Sequence, residues 1–229
     1  MDWQPLPKPA EIAESRLLEA VLTGHFPVNS SLPGERDLAE QLGVTRPTLR
    51  EALQRLQRDG WIDIQHGKPT RVRDYWREGS LGVLAGLAAT PQFQPPDFIQ
   101  HLLEIRALLA PAYALEAVRT AGPAIAVHLE GYASLPDDPR AFTGADWELH
   151  GLLTQAAENP VFRLLLNSFR ALYLLMGERY FAYPECRQHS RGFYASLRIC
   201  AHRKNGRAAE VLTRRIMQES ITLWQGIQG

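Results

Sequence analysis

Residues 31–70 constrain the fold more than any other part of the chain. Two helical apolar patterns flank a short turn at Gly43, where a left-handed backbone costs glycine little. Thr45 can cap the second helix, and Pro47 is tolerated in its first turn. Helix, short glycine-containing turn and helix together predict a helix-turn-helix. The two apolar stripes are Leu38, Ala39 and Leu42, and Leu49, Ala52, Leu53 and Leu56.

A short β-ribbon is predicted directly after the second helix. Residues 61–64 (WIDI) form one apolar strand and residues 70–72 (TRV) its partner. The loop between them contains Gly67, where a positive φ is expected. A two-stranded ribbon after a helix-turn-helix is a wing, and His66 and Lys68 at its tip can reach the minor groove or the flanking backbone.

The polar side chains at the start of the second helix indicate DNA binding. Thr45, Arg46, Thr48 and Arg50 cluster at the end that enters the major groove in this motif. Arginine can donate twice to a guanine edge, and threonine can reach a base or a phosphate. A solvated basic face is the alternative for an isolated helix, but the predicted wing favours DNA binding.

Two segments of this region carry a family resemblance. LPGERDLAEQLGVTRPTLREALQRL resembles the winged-helix domain of the GntR family of bacterial transcription regulators. GWIDIQHGKPTRV is similar to the FadR subgroup of that family, as are ENPVF, RYFAYPE and RGFY further along. Pro47 departs from the subgroup, where a threonine can stand, and would remove one contact. The resemblance implies DNA contacts at Arg36, Thr45, Arg46, Thr48, Arg50, His66, Gly67 and Lys68.

The N-terminal residues are predicted to complete the winged-helix core. Prolines at positions 5, 7 and 9 predict an extended arm, followed by a helix from about Ala10 to Gly24. We therefore assign residues 1–76 to a winged helix-turn-helix domain. The apolar face of the first helix is predicted to contain Ile12, Leu17, Leu18, Val21 and Leu22.

The remainder, residues 77–229, is predicted to be an all-α bundle for effector binding and dimerisation. A short helix is expected over residues 81–89, and from Asp97 onwards no strand pattern competes with the helical one. Gly122-Pro123 and Asn159-Pro160 predict breaks between helices. The fold class is therefore mainly α, a winged helix-turn-helix domain followed by a helical bundle.

The balance of charges requires that any DNA-binding charge be local. The chain has 25 basic and 25 acidic residues and a formal net charge of +0. A chain that is neutral overall concentrates its basic residues on one surface if it binds DNA, and dimerisation would double that surface. We therefore expect a homodimer on double-stranded DNA, with affinity that falls as salt rises.

The composition also predicts where the protein works. No apolar run approaches the ~20 residues that span a bilayer, and residues 1–14 lack the pattern of a signal peptide. We expect a cytoplasmic protein with no membrane partner. Cys186 and Cys200 fit no metal or redox spacing, so reduced thiols are expected.

The FadR resemblance implies a long-chain fatty acyl-CoA as effector and no cofactor. Such a ligand needs an apolar tunnel with polar groups at its mouth. Met217 and Ile216 depart from the subgroup, where a glycine and an aromatic residue can stand, and would reshape the pocket. The aromatic residues could equally be ordinary core. The ligand-binding positions implied by the resemblance are Arg106, Tyr180, Phe181, Met217, Glu219, Ser220 and Trp224.

A metal site is a second possibility for the same domain, and it would make the protein a GntR-type regulator that responds to a metal-linked carboxylate metabolite. Effector domains related to the FadR type can hold a metal with one aspartate and three histidines, and Asp146 and His150 match the start of that pattern. Phe193 and Gln218 stand at the other two positions, and phenylalanine cannot ligate. We favour no metal and a hydrogen-bonded Asp146–His150 pair. Replacement ligands would have to come from His189, His101 or His128.

Two further interpretations are weighed. The bundle could serve dimerisation alone, without a small-molecule effector. An enzyme would need a nucleophile and a base, for which Ser220 with His202 or His189 are the candidates. No Gly-x-Ser-x-Gly elbow, phosphate loop or HExxH motif is present, so an enzyme is not expected.

The expected mechanism follows from ligand linkage. A ligand that binds one arrangement of a dimer better shifts the population towards that arrangement. Half-sites for such dimers lie about one helical turn apart, ~34 Å, so a change of a few Å between recognition helices weakens specific binding. We therefore expect a near-palindromic operator that is released when acyl-CoA binds.

Overall fold

The structure, a computed structural model, describes residues 7–228. The chain forms two compact units, Met1–Gln94 and Pro95–Gly229. Most of the predicted extended arm, residues 1–6, lies outside the described residues. None of the helices in the described part combines the length and apolar character needed to cross a lipid bilayer.

The first unit is the predicted winged helix-turn-helix with an additional helical segment. Its two strands are antiparallel, with Ile62 opposite Val72 and Asp63 opposite Arg71. A 3₁₀ turn, Pro91–Phe93, ends the unit. Its elements in chain order are α1 (Pro9–Leu22), α2 (Glu35–Leu42), α3 (Arg46–Asp59), β1 (Ile62–Asp63), β2 (Arg71–Val72), α4 (Tyr75–Glu78) and α5 (Gly82–Ala89).

Helix α1 confirms the predicted helix but buries a slightly different face. Ala13, Leu17 and Val21, spaced four residues apart, are buried against the core. Ile12, which was predicted on the apolar face, is 41% exposed. The prediction for Ile12 was wrong, because the buried face of α1 is the neighbouring one that carries Ala13. Helices α1 and α3 pack directly on each other.

The apolar stripe of α3 forms the centre of this unit. Leu49, Ala52, Leu53 and Leu56 are all at most 3% exposed. Burying a leucine of this kind contributes about 1.5–3 kcal/mol to folding.

Residues 77–94 pack with the first unit. The Ser80 hydroxyl donates to the carbonyl of Asp59 over 3.0 Å. A Cβ atom at Gly86 would lie 2.7 Å from the Trp61 ring, so α5 lies directly against the tryptophan. The compact units therefore divide the chain between Gln94 and Pro95, whereas the prediction places a boundary after Trp76.

The second unit is an all-α bundle, as predicted. Helix α6 is its longest element, and α7, α10 and α11 pack against it. The backbone leaves the helical region at Ala121, next to the predicted break at Gly122-Pro123, so the break is a kink within α6. The helices are α6 (Phe98–Glu130), α7 (Pro139–Ala156), α8 (Val161–Ser168), α9 (Arg170–Phe181), α10 (Pro184–His202) and α11 (Gly206–Gln228).

One division between helices was not predicted. Asn159-Pro160 separates α7 from α8, as the sequence indicates. A second division at Phe169 separates α8 from α9, in a stretch with no proline or glycine to mark it. Cys186 and Cys200 on α10 are both free thiols, as predicted.

Candidate functional site

The turn before α3 has the predicted geometry. Gly43 has a φ of 67°, in the left-handed region. The Thr45 hydroxyl accepts from the backbone N–H of Thr48 over 3.3 Å and so caps the helix. The hydroxyls of Thr45 and Thr48 also lie 2.8 Å apart. These contacts hold both threonines at the N-terminal end of α3.

A carboxylate from α2 holds the two arginines at this end of α3. Glu35 Oε2 accepts from Arg50 Nε over 2.7 Å and lies 3.7 Å from Arg46 Nη2. Both arginine side chains remain 57% exposed. Exposed pairs of this kind contribute little to stability, so the arginines can exchange Glu35 for another anion at small cost.

The wing presents its predicted tip residues to solvent. Gly67 has a φ of 73°, which explains the glycine in the turn. His66 and Lys68 on either side of it are exposed. Arg71, in contrast, is held at the base of the wing, where Glu78 of α4 pairs with it over 2.6 Å. The tip, unlike the base, is available to a partner.

The predicted DNA-contacting positions all lie on the first unit. Thr48 is half-buried and the others are exposed, so each can be reached by a large ligand. The individual contacts to DNA stay predictions. The set is Arg36, Thr45, Arg46, Thr48, Arg50, His66, Gly67 and Lys68.

A cavity lies in the second unit between α6, α8 and α9. Its volume is about 120 Å³, and its walls are almost entirely apolar. The few polar groups in its lining come from Arg106, Tyr113, Asp146, Tyr173 and Tyr180. The apolar wall is formed mainly by Leu102, Leu109, Phe162, Leu166, Leu172 and Met176.

Helix α8 forms one wall of this cavity and makes few buried contacts. It is strongly amphipathic in sequence, yet none of its side chains is fully buried. Phe162, Leu165 and Leu166 face the cavity, while Val161 and Leu164 are 50% and 63% exposed. A helix with so few buried contacts can move outward at lower cost than the core helices α6 and α11.

A buried polar cluster lies at the edge of the cavity. Arg106 Nη2 donates to Asp146 Oδ2 over 2.9 Å and to His150 Nε2 over 2.8 Å. Because a guanidinium can only donate, Nε2 must accept and the ring proton must be on Nδ1. That Nδ1–H then donates to the Tyr113 hydroxyl over 2.7 Å. The imidazole is therefore neutral.

Burial and charge both act on the ionisation of this cluster. Burial lowers the pKa of His150 to about 3, with the Arg106 charge acting in the same direction. Burial alone would raise the pKa of Asp146, but Arg106 and two tyrosine hydroxyls outweigh it, so that pKa lies below its usual value. Those hydroxyls belong to Tyr173 and Tyr194, the latter donating to Asp146 Oδ1 over 2.9 Å.

The predicted Asp146–His150 pair is thus part of a larger cluster. The predicted hydrogen bond between the two side chains was wrong, because Asp146 Oδ1 and His150 Nε2 lie 3.8 Å apart. Arg106 lies between them and donates to both, so Nε2 is already an acceptor. A metal bound by them would need the atoms to which Arg106 already donates. Within residues 7–228, no three histidine, cysteine or acidic side chains converge on one point. Phe193 lies in the apolar core, as expected of a residue that cannot ligate.

The predicted ligand-binding residues divide into two groups. Arg106, Tyr180 and Phe181 line the cavity. Met217, Ser220 and Trp224 are buried in the bundle, outside its lining, and Glu219 is exposed on α11. Trp224 approaches the cavity through Tyr180, with ring centroids 6.1 Å apart. The cavity-lining members missed by sequence reasoning include Tyr113 and Tyr173, which no local motif marks.

The residues considered for catalysis have other partners. The Ser220 hydroxyl donates to the Ile216 carbonyl over 2.8 Å, within its own helix. His189 lies 3.1 Å from Glu219, and His202 is exposed at the end of α10. In the described residues, Ser220 hydrogen-bonds to no histidine.

Family models match both units of the chain. The model of bacterial regulatory proteins of the gntR family matches residues 9–72. The model of the FadR C-terminal domain matches residues 73–229, more than half of the chain. The description of the first model names regulatory proteins, and neither description names an enzyme.

Curated relatives match over nearly the full length. The chain is 37% identical to a fatty acid metabolism regulator protein of Pasteurella multocida, covering 98% of this chain and 95% of that protein. It is 38% identical to the protein of the same name from Erwinia tasmaniensis, covering 96% and 92%. The solved structure of Lar from Listeria monocytogenes has the same fold, with a TM-score of 0.64, 18% identity and coverage of 96% and 97%.

Proposed function

Because this chain belongs to the GntR family and carries a FadR C-terminal domain, we propose that it is a fatty-acid-metabolism regulator released from DNA by a long-chain acyl-CoA. The chain matches relatives over almost their whole length, and those relatives are named fatty acid metabolism regulator proteins. The protein is a transcription regulator, not an enzyme. A regulator of bacterial genes acts in the cytoplasm, where its DNA is.

The DNA-binding part of the proposal rests on the end of α3. Arg46 and Arg50 project from it and are exposed, and within residues 7–228 Glu35 is their one ion-pair partner. A helix N-terminus also favours an approaching phosphate. With the wing tip on the flanking groove, one unit would read one half-site. We propose that a homodimer reads two half-sites of a palindromic operator.

The effector part rests on one observation, the apolar cavity beside α8. A fatty acyl chain needs an apolar channel, and one wall of this apolar cavity is α8, a helix with no fully buried side chain. On this proposal, a long chain enlarges the cavity by displacing α8 outward. Displacement of α8 is a structural change by which a ligand can favour one arrangement of the dimer.

The testing experiment measures DNA binding with and without effector. Fluorescence anisotropy of a labelled palindromic duplex, taken from upstream of fatty-acid genes, should rise with protein and fall when palmitoyl-CoA is added. Free coenzyme A at the same concentration is the control, and it should leave the anisotropy unchanged. DNA binding that palmitoyl-CoA does not weaken would overturn the effector, and no DNA binding at all would overturn the proposal.

The metal-linked alternative has no comparable support. It would require Asp146 and His150 to exchange their bonds to Arg106 for a metal, with the other ligands still to be found. Repeating the anisotropy titration with Zn²⁺ and a small carboxylate such as citrate tests it. Release under those conditions, and not with palmitoyl-CoA, would favour it.

A further inference from the structure

Pro47 is an exposed apolar residue at the end of α3 that is proposed to enter the major groove. It lies in the first turn of the helix, between the side chains of Arg46 and Thr48 in the sequence. Leu56, which is 1% exposed in the core, comes about 2.5 helical turns later. Pro47 therefore lies on the side of α3 opposite the core, which is the side that a DNA groove would meet.

The backbone around Pro47 offers few hydrogen-bond donors to DNA. Proline has no N–H group, and the N–H of Thr48 already donates to the Thr45 hydroxyl over 3.3 Å. The hydroxyls of these two threonines lie 2.8 Å apart and can hydrogen-bond to each other. The surface at Pro47 is therefore an apolar ring that cannot donate to a base edge.

The major groove has one apolar feature that such a ring can contact. Every base pair presents donors and acceptors there, and thymine alone of the four bases adds a methyl group, at C5. A donor or acceptor of a base placed against Pro47 would lose water without gaining a hydrogen bond, which is unfavourable. A thymine methyl group would lose only apolar contact with water, and its burial is favourable.

On the premise that this protein is a DNA-binding regulator, we infer that Pro47 is a specificity determinant that packs on the C5-methyl group of a thymine in each half-site. The threonine that can stand here in the FadR subgroup has a hydroxyl for a base edge, whereas proline has none. This chain therefore recognises that base pair by apolar contact, and it selects thymine over the other three bases at one position beside the contact of Arg46.

The first test uses the unmodified protein and duplexes that lack one methyl group. Deoxyuridine replaces thymine at one position of the half-site at a time, in both halves of the palindrome, and it pairs with adenine as thymine does. Fluorescence anisotropy titrations measure Kd for each duplex. Burial of one methyl group predicts roughly fourfold weaker binding for each half-site changed at the position that Pro47 contacts.

Variants assign the methyl contact to Pro47. Pro47→Ser removes the ring and should bind the thymine and deoxyuridine duplexes equally. Pro47→Ala keeps one side-chain carbon and should retain part of the difference. The readout is the ratio of the two Kd values for one variant, so a general loss of affinity from a weaker helix start cancels. Pro184→Ser is the matched control, because Pro184 is an exposed proline in the first turn of α10, and it should keep the full ratio.

Thr48 is the neighbouring half-buried side chain that also carries a methyl group. Thr48→Ser removes that methyl group and keeps the hydroxyl that lies beside Thr45. The preference for thymine should survive this substitution. Loss of the preference in Thr48→Ser, with retention in Pro47→Ser, would contradict the assignment to Pro47.

The outcomes distinguish this inference from the proposed function. Equal affinities for the thymine duplex and every deoxyuridine duplex would overturn the inference and leave DNA binding intact. A methyl effect that persists unchanged in Pro47→Ser would also overturn it. Absence of binding to the unmodified duplex would overturn the proposed function itself.

Discussion

Two arginine–carboxylate pairs, one in each unit, have nearly the same geometry and opposite surroundings. Arg50 and Glu35 lie 2.7 Å apart with side chains 57% and 37% exposed. Arg106 and Asp146 lie 2.9 Å apart with side chains 17% and 1% exposed. Water competes for the first pair and hardly for the second. The first pair can exchange partners at small cost, while the second must keep its charges balanced.

The difference matches what each region is proposed to do. A DNA-reading arginine must leave its resting partner when a phosphate or guanine arrives, and an exposed pair allows that. An arginine buried beside the cavity must keep its carboxylate partner, because parting them would leave an unpaired buried charge. Substitutions that remove one partner of each pair therefore test this comparison between the exposed and the buried pair.

The largest expected effect follows from removing the buried cation. Arg106→Met leaves Asp146 as an unpaired buried charge, and the free energy of unfolding should fall by about 3–5 kcal/mol. Urea denaturation followed by circular dichroism measures it. Adding Asp146→Asn should restore most of the loss. A loss below about 1 kcal/mol in the single variant would show that water reaches the site.

Acidification should give the next largest effect. His150 is neutral in the fold with a pKa of about 3, whereas the unfolded chain takes up a proton below about 6.5. The unfolded state therefore binds more protons than the folded state in that interval. The free energy of unfolding falls as the pH is lowered, by about 2 kcal/mol between pH 7 and pH 5. The neighbouring ionisable groups, Arg106, Asp146, Tyr113 and Tyr173, keep their charge states between those two pH values.

The measurement is a set of urea unfolding curves at pH 7, 6 and 5. His150→Gln, which cannot be protonated, should give a shallower pH dependence whatever its stability at pH 7. An unchanged slope in this variant would mean that other groups cause the acid sensitivity.

A smaller effect is expected on DNA when one exposed arginine is removed. Arg46→Ala should weaken binding to the operator about tenfold, as one lost base or phosphate contact does. Anisotropy titrations at several salt concentrations separate the two roles. Loss of a phosphate contact lowers the salt slope by about 1 for every sequence, and loss of a base contact reduces specificity at one position. Arg58→Ala, another exposed arginine of α3 away from its N-terminus, is the control.

The smallest effect should follow from removing the exposed carboxylate. Glu35→Gln should change the free energy of unfolding by less than about 0.5 kcal/mol, because both its pairs are exposed. DNA binding should strengthen a few-fold, because Arg46 and Arg50 no longer have to give up the Glu35 carboxylate before they contact DNA. Weaker DNA binding in Glu35→Gln would show instead that Glu35 positions the arginines for contact.

The winged helix-turn-helix could be predicted because its determinants are local. Gly43, Thr45 and Gly67 have the backbone or capping roles that their residue types favour, and the stripe of α3 is buried at every predicted position. Ile12 was misplaced because helical periodicity leaves neighbouring faces of α1 nearly equivalent. The extent of the first unit was also beyond local patterns, since α5 joins it through a close contact with Trp61.

The cavity could be predicted only in part. The family resemblance supplied Arg106, Tyr180 and Phe181, but it also supplied Met217, Ser220 and Trp224, which lie outside the lining. The division between α8 and α9 at Phe169 has no proline or glycine to mark it.

The amino-acid sequence by itself determined the helical periodicities, the turn chemistry around α3 and the family to which the chain belongs. These depend on residues within a few positions of one another. Only the tertiary structure decided that Arg106, Asp146 and His150 form one neutral cluster, and that Tyr113, Tyr173 and Tyr194 complete it. Asp146 and His150 are one helical turn apart in the sequence. The other contacts of that cluster join residues that are 27 to 48 positions apart. Their protonation depends on burial, which no local pattern encodes.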